Sequence, residues 1–376
     1  NVICKVFVMR CLCIILFFIS ALYSCSEYGE NANPYYEDSG TLKYELVDSL
    51  SIEFPLDSIT SHIFTALEYN DKLGVLSFLS NRRILIYDYK KRSLINAINI
   101  QSSFPSSYTV VNSDSILIID YNEKKLIIYD DKGNILNSFE LFPKIKYAPL
   151  PINRISPIVL KNGIVTFWGS MAGEYRDEDG MNRKIMTTFN LQSEDIDYYI
   201  PYSDVYKKNW GGGLYRWIYS DYNELLDLHV VSFPAEHYIY TISGNEKEVH
   251  KYYAGSQSID ATYYLNRSKD IPIDSDLKIR HFVENHSYSR ILYDKYRNVY
   301  YRIAEIKSNY EGIPGWQKAI SVVILNDKFQ IIGETFIGKP NLNSRYAIFV
   351  NEHGLHIPQK SDENVLKYKL FVLCVK

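Results

Sequence analysis

Residues 84–98, ILIYDYKKRSLINAI, and residues 126–140, LIIYDDKGNILNSFE, are two copies of one pattern. In each copy an apolar strand ends in Tyr-Asp, a short polar turn follows, and a second strand begins. Tyr87 and Tyr129 hold equivalent positions, so the pattern repeats after 42 residues. The first copy turns at residues 90–93 and the second at residues 131–134, which indicates two matched hairpins.

Each copy is preceded by two further predicted strands. The turns between the strands fall at residues 80–82 and 122–124, and the earliest strands are predicted over 63–69 and 108–111. Four short strands in a period of roughly 40–50 residues are typical of one blade of a β-propeller. The repeat therefore predicts a ring of four-stranded sheets.

The remaining chain contains the same parts with less regular spacing. Four later sets of strands are predicted within residues 157–201, 214–254, 279–336 and 346–375, and the third of these sets begins with a strand over 279–284. Residues 42–54 predict an N-terminal strand without a blade of its own, which would pair with the last strands and so remove two sheet edges. We predict an all-β, six-bladed β-propeller over residues 41–376, with seven blades as the alternative. Two β-sandwich domains would need a Gly-, Pro- or Ser-rich linker near the middle, and none is found.

The composition agrees with a folded β protein. The 376 residues include 34 Tyr and 17 Phe, and tyrosine suits a half-buried pleated surface better than a helix. Lys and Arg together number 41 against 44 Asp and Glu, so the net charge of −3 gives no reason to expect nucleic-acid binding.

The first 24 residues are predicted to be a signal peptide. Residues 11–22, CLCIILFFISAL, form an apolar run after Arg10 that is too short to span a bilayer, and Met9 is a plausible true start. Residues 22–25, Leu-Tyr-Ser-Cys, resemble the lipobox of bacterial lipoproteins, which implies acylation of Cys25. A cleaved signal without lipid is the alternative. Residues 25–40 are polar and acidic and predict a flexible tether.

A lipobox, an acidic tether and a Tyr-rich ring together resemble the TolB-like six-bladed propeller lipoproteins of Bacteroidetes. Residues 78–98 and 230–242 look like one uncharacterised family, a domain of unknown function, within that group. The resemblance implies an outer-membrane lipoprotein of the cell envelope, facing either the periplasm or the surface. It implies no reaction and offers no catalytic residues.

No strong catalytic motif is present, because the sequence lacks GxSxG, HExxH, P-loop and Rossmann glycine patterns. No cofactor and no metal site are predicted. Residues 202–222 concentrate aromatic side chains and one arginine, which would suit a glycan or peptide groove, although strand aromatics commonly pack between blades. The candidate ligand-binding residues are Trp210, Tyr215, Arg216, Trp217, Trp168, Arg290 and Arg302, of which the last two are candidates for the central channel.

Three functions remain open at this point. The leading hypothesis is a lipid-anchored binding or scaffold module that docks a glycan, peptide or envelope protein on one propeller face. The alternative is a carbohydrate-active enzyme, a lyase or hydrolase, with convergent charged side chains in the channel. A purely structural envelope component would show neither a pocket nor perturbed groups.

Overall fold

The computed structural model describes residues 28–36, 42–55, 66–80, 82–141, 156–169, 184–211, 213–244, 248–266, 274–310, 318–340, 347–359 and 365–376. The predicted signal peptide and Cys25 lie outside these ranges. Regular structure within them consists almost wholly of strands. In the part of the chain that the structure describes, no helix is both long enough and apolar enough to cross a bilayer.

Most strands follow one another in small antiparallel sheets. Two early strands, β1 (Tyr28–Ala32) and β2 (Tyr44–Pro55), pair instead with strands from far along the chain. The first sheet contains β3 (Ala66–Asn70), β4 (Val75–Ser80), β5 (Arg83–Asp88) and β6 (Ser93–Asn99), and the second contains β7 (Pro105–Asn112), β8 (Ser115–Asp120), β9 (Lys125–Tyr129) and β10 (Ile135–Glu140). These two sheets are the 42-residue repeats, and their predicted four-stranded form is confirmed.

Two further four-stranded sheets come next in the chain. The third contains β11 (Val159–Lys161), β12 (Ile164–Trp168), β13 (Lys184–Asn190) and β14 (Ile196–Pro201), and the fourth contains β15 (Tyr219–Asn223), β16 (Leu228–Ser232), β17 (Tyr238–Ser243) and β18 (Val249–Tyr253). Two 3-10 turns, Asp204–Lys207 and Gly213–Arg216, lie in the connection between these sheets. The strand predicted to begin at residue 214 therefore begins later, at Tyr219.

The last strands form one sheet of eight. After β19 (Ala261–Leu265) and the helix α1 (Ser275–Glu284), the chain forms β20 (Ser287–Asp294), β21 (Val299–Ile306), β22 (Ala319–Leu325), β23 (Ile331–Gly338), β24 (Phe349–Asn351), β25 (Gly354–Pro358) and β26 (Val365–Val375). The order in this sheet is β20-β21-β22-β23-β2-β26-β25-β24. β2 runs antiparallel to β26, from Tyr44 opposite Val375 to Pro55 opposite Val365. The predicted pairing of the N-terminal strand with the final strands is confirmed, and the arrangement of the sheets is propeller-like.

Asp and Asn side chains organise the tight turns between strands. The Asp130 carboxylate accepts hydrogen bonds from the backbone N–H groups of Lys132 (2.9 Å) and Asn134 (2.8 Å). Equivalent acceptors end other strands at Asn70, Asp88, Asn112, Asp120, Asn190, Asn223, Asp294, Asn326 and Asn351. Such side chains substitute for a backbone acceptor and so favour a turn where the strand ends. The turns often close with a residue of positive φ, such as Arg92 at 55° and Gly74 at 64°.

The helix α1 occupies a segment for which the sequence predicted a strand over 279–284, and that prediction was wrong. The Asp274 carboxylate accepts a hydrogen bond from the backbone N–H of Leu277 (2.7 Å), which caps the first turn. Phe282 and Val283, in the last turn of the helix, are buried. The cap is a signal for a helix that lies outside the apolar run from which the strand was predicted.

Residues 28–36 belong to the folded body, although the sequence placed them in a tether. β1 pairs with β19 from Tyr28 opposite Leu265 to Ala32 opposite Ala261. The buried Asn33 amide donates to the carbonyls of Ser256 (3.1 Å) and Ile259 (2.8 Å), and its oxygen accepts from the Tyr253 hydroxyl (2.7 Å). The polar composition of this segment therefore serves specific hydrogen bonds.

Candidate functional site

A cavity of about 410 Å³ lies where the first strands of the sheets converge. Its walls come from β3, β7, β11 with the residues just before it, β15, and the two end strands of the eight-stranded sheet, β20 and β24. In a propeller-like arrangement the first strand of each sheet is the innermost, so this cavity is the central channel. Every sheet of four or more strands contributes to it.

Glu68 of β3 is a half-buried carboxylate on the cavity wall. Its oxygens accept hydrogen bonds from the Thr109 hydroxyl (2.7 Å) and from the backbone N–H of Val110 (2.9 Å), both on β7. Burial raises the pKa of Glu68 from 4.5 to about 7, and the two hydrogen bonds offset only part of that effect. Glu68 is therefore divided between its two protonation states near neutral pH.

Asp221 and Arg290 form a second charged group on the wall, contributed by β15 and β20. The Asp221 carboxylate accepts from the backbone N–H groups of Tyr293 (2.7 Å) and Tyr222 (2.8 Å). Burial raises the pKa of Asp221, and these N–H groups and the charge of Arg290 counteract the shift. Burial likewise lowers the pKa of Arg290, while the Asp221 charge favours its protonated form. The two residues thus compensate each other inside the cavity.

Ion pairs between hairpin turns surround one mouth of the cavity. We call the set Asp71, Lys72, Glu224 and Lys295 the mouth network. Lys72 and Lys295 each lie 3.3 Å from a Glu224 oxygen, and Lys295 also contacts Asp71. The turns involved are β3–β4, β15–β16 and β20–β21, so the network joins sheets that are far apart in sequence. Exposed pairs of this kind stabilise a fold by only about 0–1 kcal/mol each.

The aromatic candidates are mostly buried away from this cavity. The side chains of Trp168, Trp210 and Tyr215 belong to one apolar cluster and are no more than 3% exposed. The Trp210 indole N–H donates to the Val205 carbonyl (2.9 Å), and the Tyr215 hydroxyl donates to the His286 carbonyl (3.0 Å). In this arrangement their ring faces pack against protein and are not presented to solvent.

The remaining candidates are Arg290, Arg216, Trp217 and Arg302, and they do not lie together. Arg290 lines the cavity, as already described. Arg216 ends the second 3-10 turn and Trp217 follows it. Both are partly exposed, and the Tyr202 hydroxyl donates to the Arg216 carbonyl (2.7 Å). Neither of them lines the cavity.

Arg302 is fully buried between two sheets and does not line the cavity either. Its guanidinium donates to the carbonyls of Glu236 (2.6 Å), Ala254 (2.9 Å) and His237 (3.1 Å). It also lies 3.8 Å from the centre of the Tyr288 ring. Burial lowers the pKa of Arg302 to about 10, so the group stays charged at neutral pH. These contacts fasten the fourth sheet to the eight-stranded one.

The sequence reasoning missed Glu68, Asp221 and the mouth network. A usable signal existed, because the innermost strand of a blade comes first in each repeat and polar residues there face the axis. Glu68 and Val110, which are hydrogen-bonded, are 42 residues apart, which is one repeat length. Aligning the first strands by the repeat would have placed both on the channel wall.

Metal-binding groups do not converge in the described ranges, where no three His, Cys, Asp or Glu side chains could hold one ion. Five histidines are buried and have lowered pKa values, at about 4 or, for His356, about 3, chiefly because of desolvation. The His356 ring is hydrogen-bonded to the Tyr89 hydroxyl (2.8 Å) and stacked on Phe349. These histidines are packed as neutral core groups.

Comparisons with known proteins address the family and the fold. Among curated proteins there is no match. A crystal structure of a member of the DUF4221 family from Bacteroides vulgatus ATCC 8482 matches with a TM-score of 0.71 and 21% identity, covering 90% of this chain and 100% of that chain. At this identity the match shows a shared fold. The family model described as "Domain of unknown function (DUF4221)" matches residues 36–336. The chain therefore belongs to the DUF4221 family.

Proposed function

We propose that this chain is a binding module that holds a compact polar ligand in the central cavity. The observation that carries the proposal is the convergence of Glu68, Asp221 and Arg290 on one cavity of about 410 Å³. Ligand sites are concave, few in number and provided with a small set of polar groups that orient the ligand. A ring whose only task was structural would have no need for partly buried charges on its axis, since removing charges from water costs free energy.

We further propose that the ring has six blades of four strands and is of the TolB-like type. The eight-stranded sheet would then divide into β20–β23 and a last blade of β24, β25, β26 and β2. The division falls between β23 and β2, which share a single parallel bridge, Tyr44 with Gly333. Pairing β2 with β26 would close the ring and cover two edges.

The cellular setting is also a proposal. Acylation of Cys25 after removal of residues 1–24 would attach the propeller to the outer membrane as a lipoprotein of the cell envelope. The support is the apolar run at 11–22 and the lipobox-like residues 22–25. The predicted partner is a glycan, a peptide or an envelope protein that binds to one face of the propeller.

A cavity-filling variant tests the binding proposal. Ser107 of β7 lines the cavity, and Ser107→Trp would occupy it, whereas Ser138→Trp places the same side chain on the exposed face of β10. A thermal-shift screen with monosaccharides, amino acids, nucleosides and small amines should find a ligand that stabilises the natural chain. We expect the stabilisation to persist in Ser138→Trp and to vanish in Ser107→Trp.

A second cavity variant controls for the possibility that Ser107→Trp loses binding through misfolding. Val111→Trp lies at the exposed end of the same strand and also lines the cavity, so it obstructs the cavity without replacing a buried residue. Ligands that stabilise both cavity variants as strongly as the natural chain would refute binding in the channel.

An enzyme is the second candidate, and the pKa of Glu68 favours it. A carboxyl group that titrates near pH 7 beside other charged groups suits general acid–base catalysis, as in the predicted lyase or hydrolase. Incubation with a panel of polysaccharides, followed by assay of released reducing ends, tests this candidate. Activity should fall at least 100-fold in Glu68→Gln, while the exposed Glu53→Gln control on β2 should retain it.

A further inference from the structure

Glu68 differs from the other carboxylates of the cavity because no cation is paired with it. Its hydrogen bonds come from two neutral donors, the Thr109 hydroxyl and the Val110 backbone N–H. In the described part of the chain no Lys, Arg or His side chain forms an ion pair with it. A carboxylate shielded from water without a countercharge is energetically unfavourable.

Among the described residues of the cavity wall, every other charged group already has an opposite charge. Asp221 of β15 is compensated by Arg290 of β20. The mouth network pairs Asp71 and Glu224 with two lysines. The wall residues from β11 and β24 are uncharged, and the ionisable group of β7 is Tyr108, whose hydroxyl is bonded to Ser77 (3.0 Å). Over the described lining residues, the charge balance is therefore short of one positive charge whenever Glu68 is ionised.

The aromatic part of the wall also suits a cation. In the described ranges five tyrosines line the cavity: Tyr69, Tyr108, Tyr222, Tyr293 and Tyr296. Ring faces attract ammonium groups, and this attraction is stronger where water is excluded. An anionic ligand, in contrast, would have to compete with Asp221 for Arg290.

Building on the proposed cavity function, we infer that the ligand is a small organic cation, such as a primary amine, whose ammonium group binds to the Glu68 carboxylate. The ammonium supplies the missing charge and donates hydrogen bonds to the lone pairs that Thr109 and Val110 leave unused. A neutral analogue of the same shape would leave the carboxylate uncompensated and would bind more weakly.

The inference implies linkage between ligand binding and protonation of Glu68. A cation binds the ionised form, so binding releases a proton whenever Glu68 is protonated beforehand. With a pKa of about 7, roughly nine-tenths of Glu68 is ionised at pH 8 and roughly one-tenth at pH 6. We expect amine affinity to fall about tenfold between these pH values. Loss of the pH dependence in Glu68→Gln would assign the effect to Glu68 and not to Asp221, whose pKa is also raised by burial.

Matched probe pairs test the inference on the full chain. Isothermal titration compares ethanolamine with ethylene glycol, 1,4-diaminobutane with 1,4-butanediol, and cyclohexylamine with cyclohexanol, at pH 8 and pH 6. We expect at least one amine to bind at least tenfold more tightly than its alcohol at pH 8. That preference should disappear in Glu68→Gln, which keeps the shape of the side chain, and should persist in the control Glu53→Gln.

The outcomes separate this inference from the proposed function. An alcohol that binds as tightly as its amine, an amine preference that survives Glu68→Gln, or no binding by any of the three amines overturns the cation inference. In each of these cases the binding proposal is still decided by its wider ligand screen with the tryptophan variants. Thermal unfolding of Glu68→Gln checks that a lost preference does not come from a misfolded chain.

Discussion

At the scale of single residues, buried polar groups distinguish the positions that hold the fold together from those that face the cavity. Arg302 has its hydrogen-bonding capacity met by carbonyls of neighbouring turns, so it acts as a structural fastener. Glu68 lies on the cavity wall and accepts hydrogen bonds from two neutral donors, and burial raises its pKa. The sequence marked Arg302 as a candidate and passed over Glu68, because burial and partners cannot be read from residue type.

The first prediction concerns Arg302. Arg302→Lys keeps the charge but loses the planar set of donors, so several buried carbonyls would lose their partner. We expect the free energy of unfolding to fall by about 3 kcal/mol or more, measured by urea denaturation. Arg280→Lys on the exposed side of α1 is the matched control and should change it by less than about 0.5 kcal/mol. Equal effects of the two substitutions would show that the hydrogen bonds of Arg302 do not stabilise the fold.

The buried histidines make the protein sensitive to acid. Their pKa values lie below the ordinary 6.5, at about 4 or about 3, so the folded state takes up protons less readily than the unfolded state. The stability they contribute is complete above pH 6.5 and is lost as the pH falls through their folded pKa values. Urea denaturation from pH 7 to pH 4 should show a steadily falling free energy of unfolding. A constant value over that range would contradict the buried, neutral state of these rings.

Glu68 is expected to change stability with pH in the direction opposite to the buried histidines. Its folded pKa of about 7 lies above the ordinary 4.5, so its contribution to stability is complete below pH 4.5 and is lost as the pH rises through 7. We expect Glu68→Gln to stabilise the chain by up to about 3 kcal/mol at pH 8 and to have little effect at pH 4.5. Denaturation curves of both chains at the two pH values check this. Destabilisation at pH 8 would mean that the ionised carboxylate is better solvated than its burial indicates.

At the scale of elements, helix capping and long-range strand pairing account for two elements that hydrophobic periodicity did not predict. The four-strand repeats carry a clear alternation, and their strands match the predicted bounds to within a few residues. The helix α1 and the strand β1 carry no such pattern. α1 depends on the N-cap Asp274, and β1 depends on β19, a partner more than 200 residues away in the sequence.

The fourth prediction tests how firmly the β1 segment is attached. Asn33 is buried and makes three side-chain hydrogen bonds to the region around β19, so Asn33→Ala would leave two carbonyls and the Tyr253 hydroxyl without that partner. We expect a loss of about 2–3 kcal/mol in unfolding free energy. The exposed Asn99→Ala on β6 is the control and should be nearly neutral. Protease cleavage at residues 28–36 in the natural chain would count against a docked segment.

At the scale of the whole molecule, closure by β2 and β26 joins the two ends of the fold. Antiparallel pairing over nearly the whole length of β2 buries Leu46, Ile52 and Phe54 and leaves neither strand at a free edge. The contacts that unite the molecule are therefore among the longest in the sequence. Proteins dominated by such contacts fold slowly, because loop closure precedes the interactions that reward it.

The fifth prediction uses a thiol that the chain already has. Glu45 lies directly opposite Cys374, and opposed residues in an antiparallel pair have Cα atoms roughly 4.5–5.5 Å apart, within the range of a disulfide. We expect Glu45→Cys to form a disulfide with Cys374 and to raise the melting temperature under oxidising conditions. Val47→Cys, opposite Val372, is the control and should not form it. The test requires serine at the other cysteines, Cys4, Cys11, Cys13 and Cys25.

A failure of Glu45→Cys to form the disulfide, detected by mass spectrometry after oxidation, would contradict the register of β2 against β26. A disulfide that formed without raising the melting temperature would show that the junction is not the first part of the ring to open.

The sequence by itself determined the all-β class, the four-stranded repeat and the pairing of the two chain ends. These features follow from short-range alternation of apolar and polar residues and from Asp and Asn at turns, which act over a few neighbours. Only the tertiary structure decided that Trp210 and Tyr215 are core residues and that Glu68, Asp221 and Arg290 meet in one cavity. Burial and electrostatic environment depend on residues that are hundreds of positions apart in the chain, and local pattern carries no record of which of them will be neighbours.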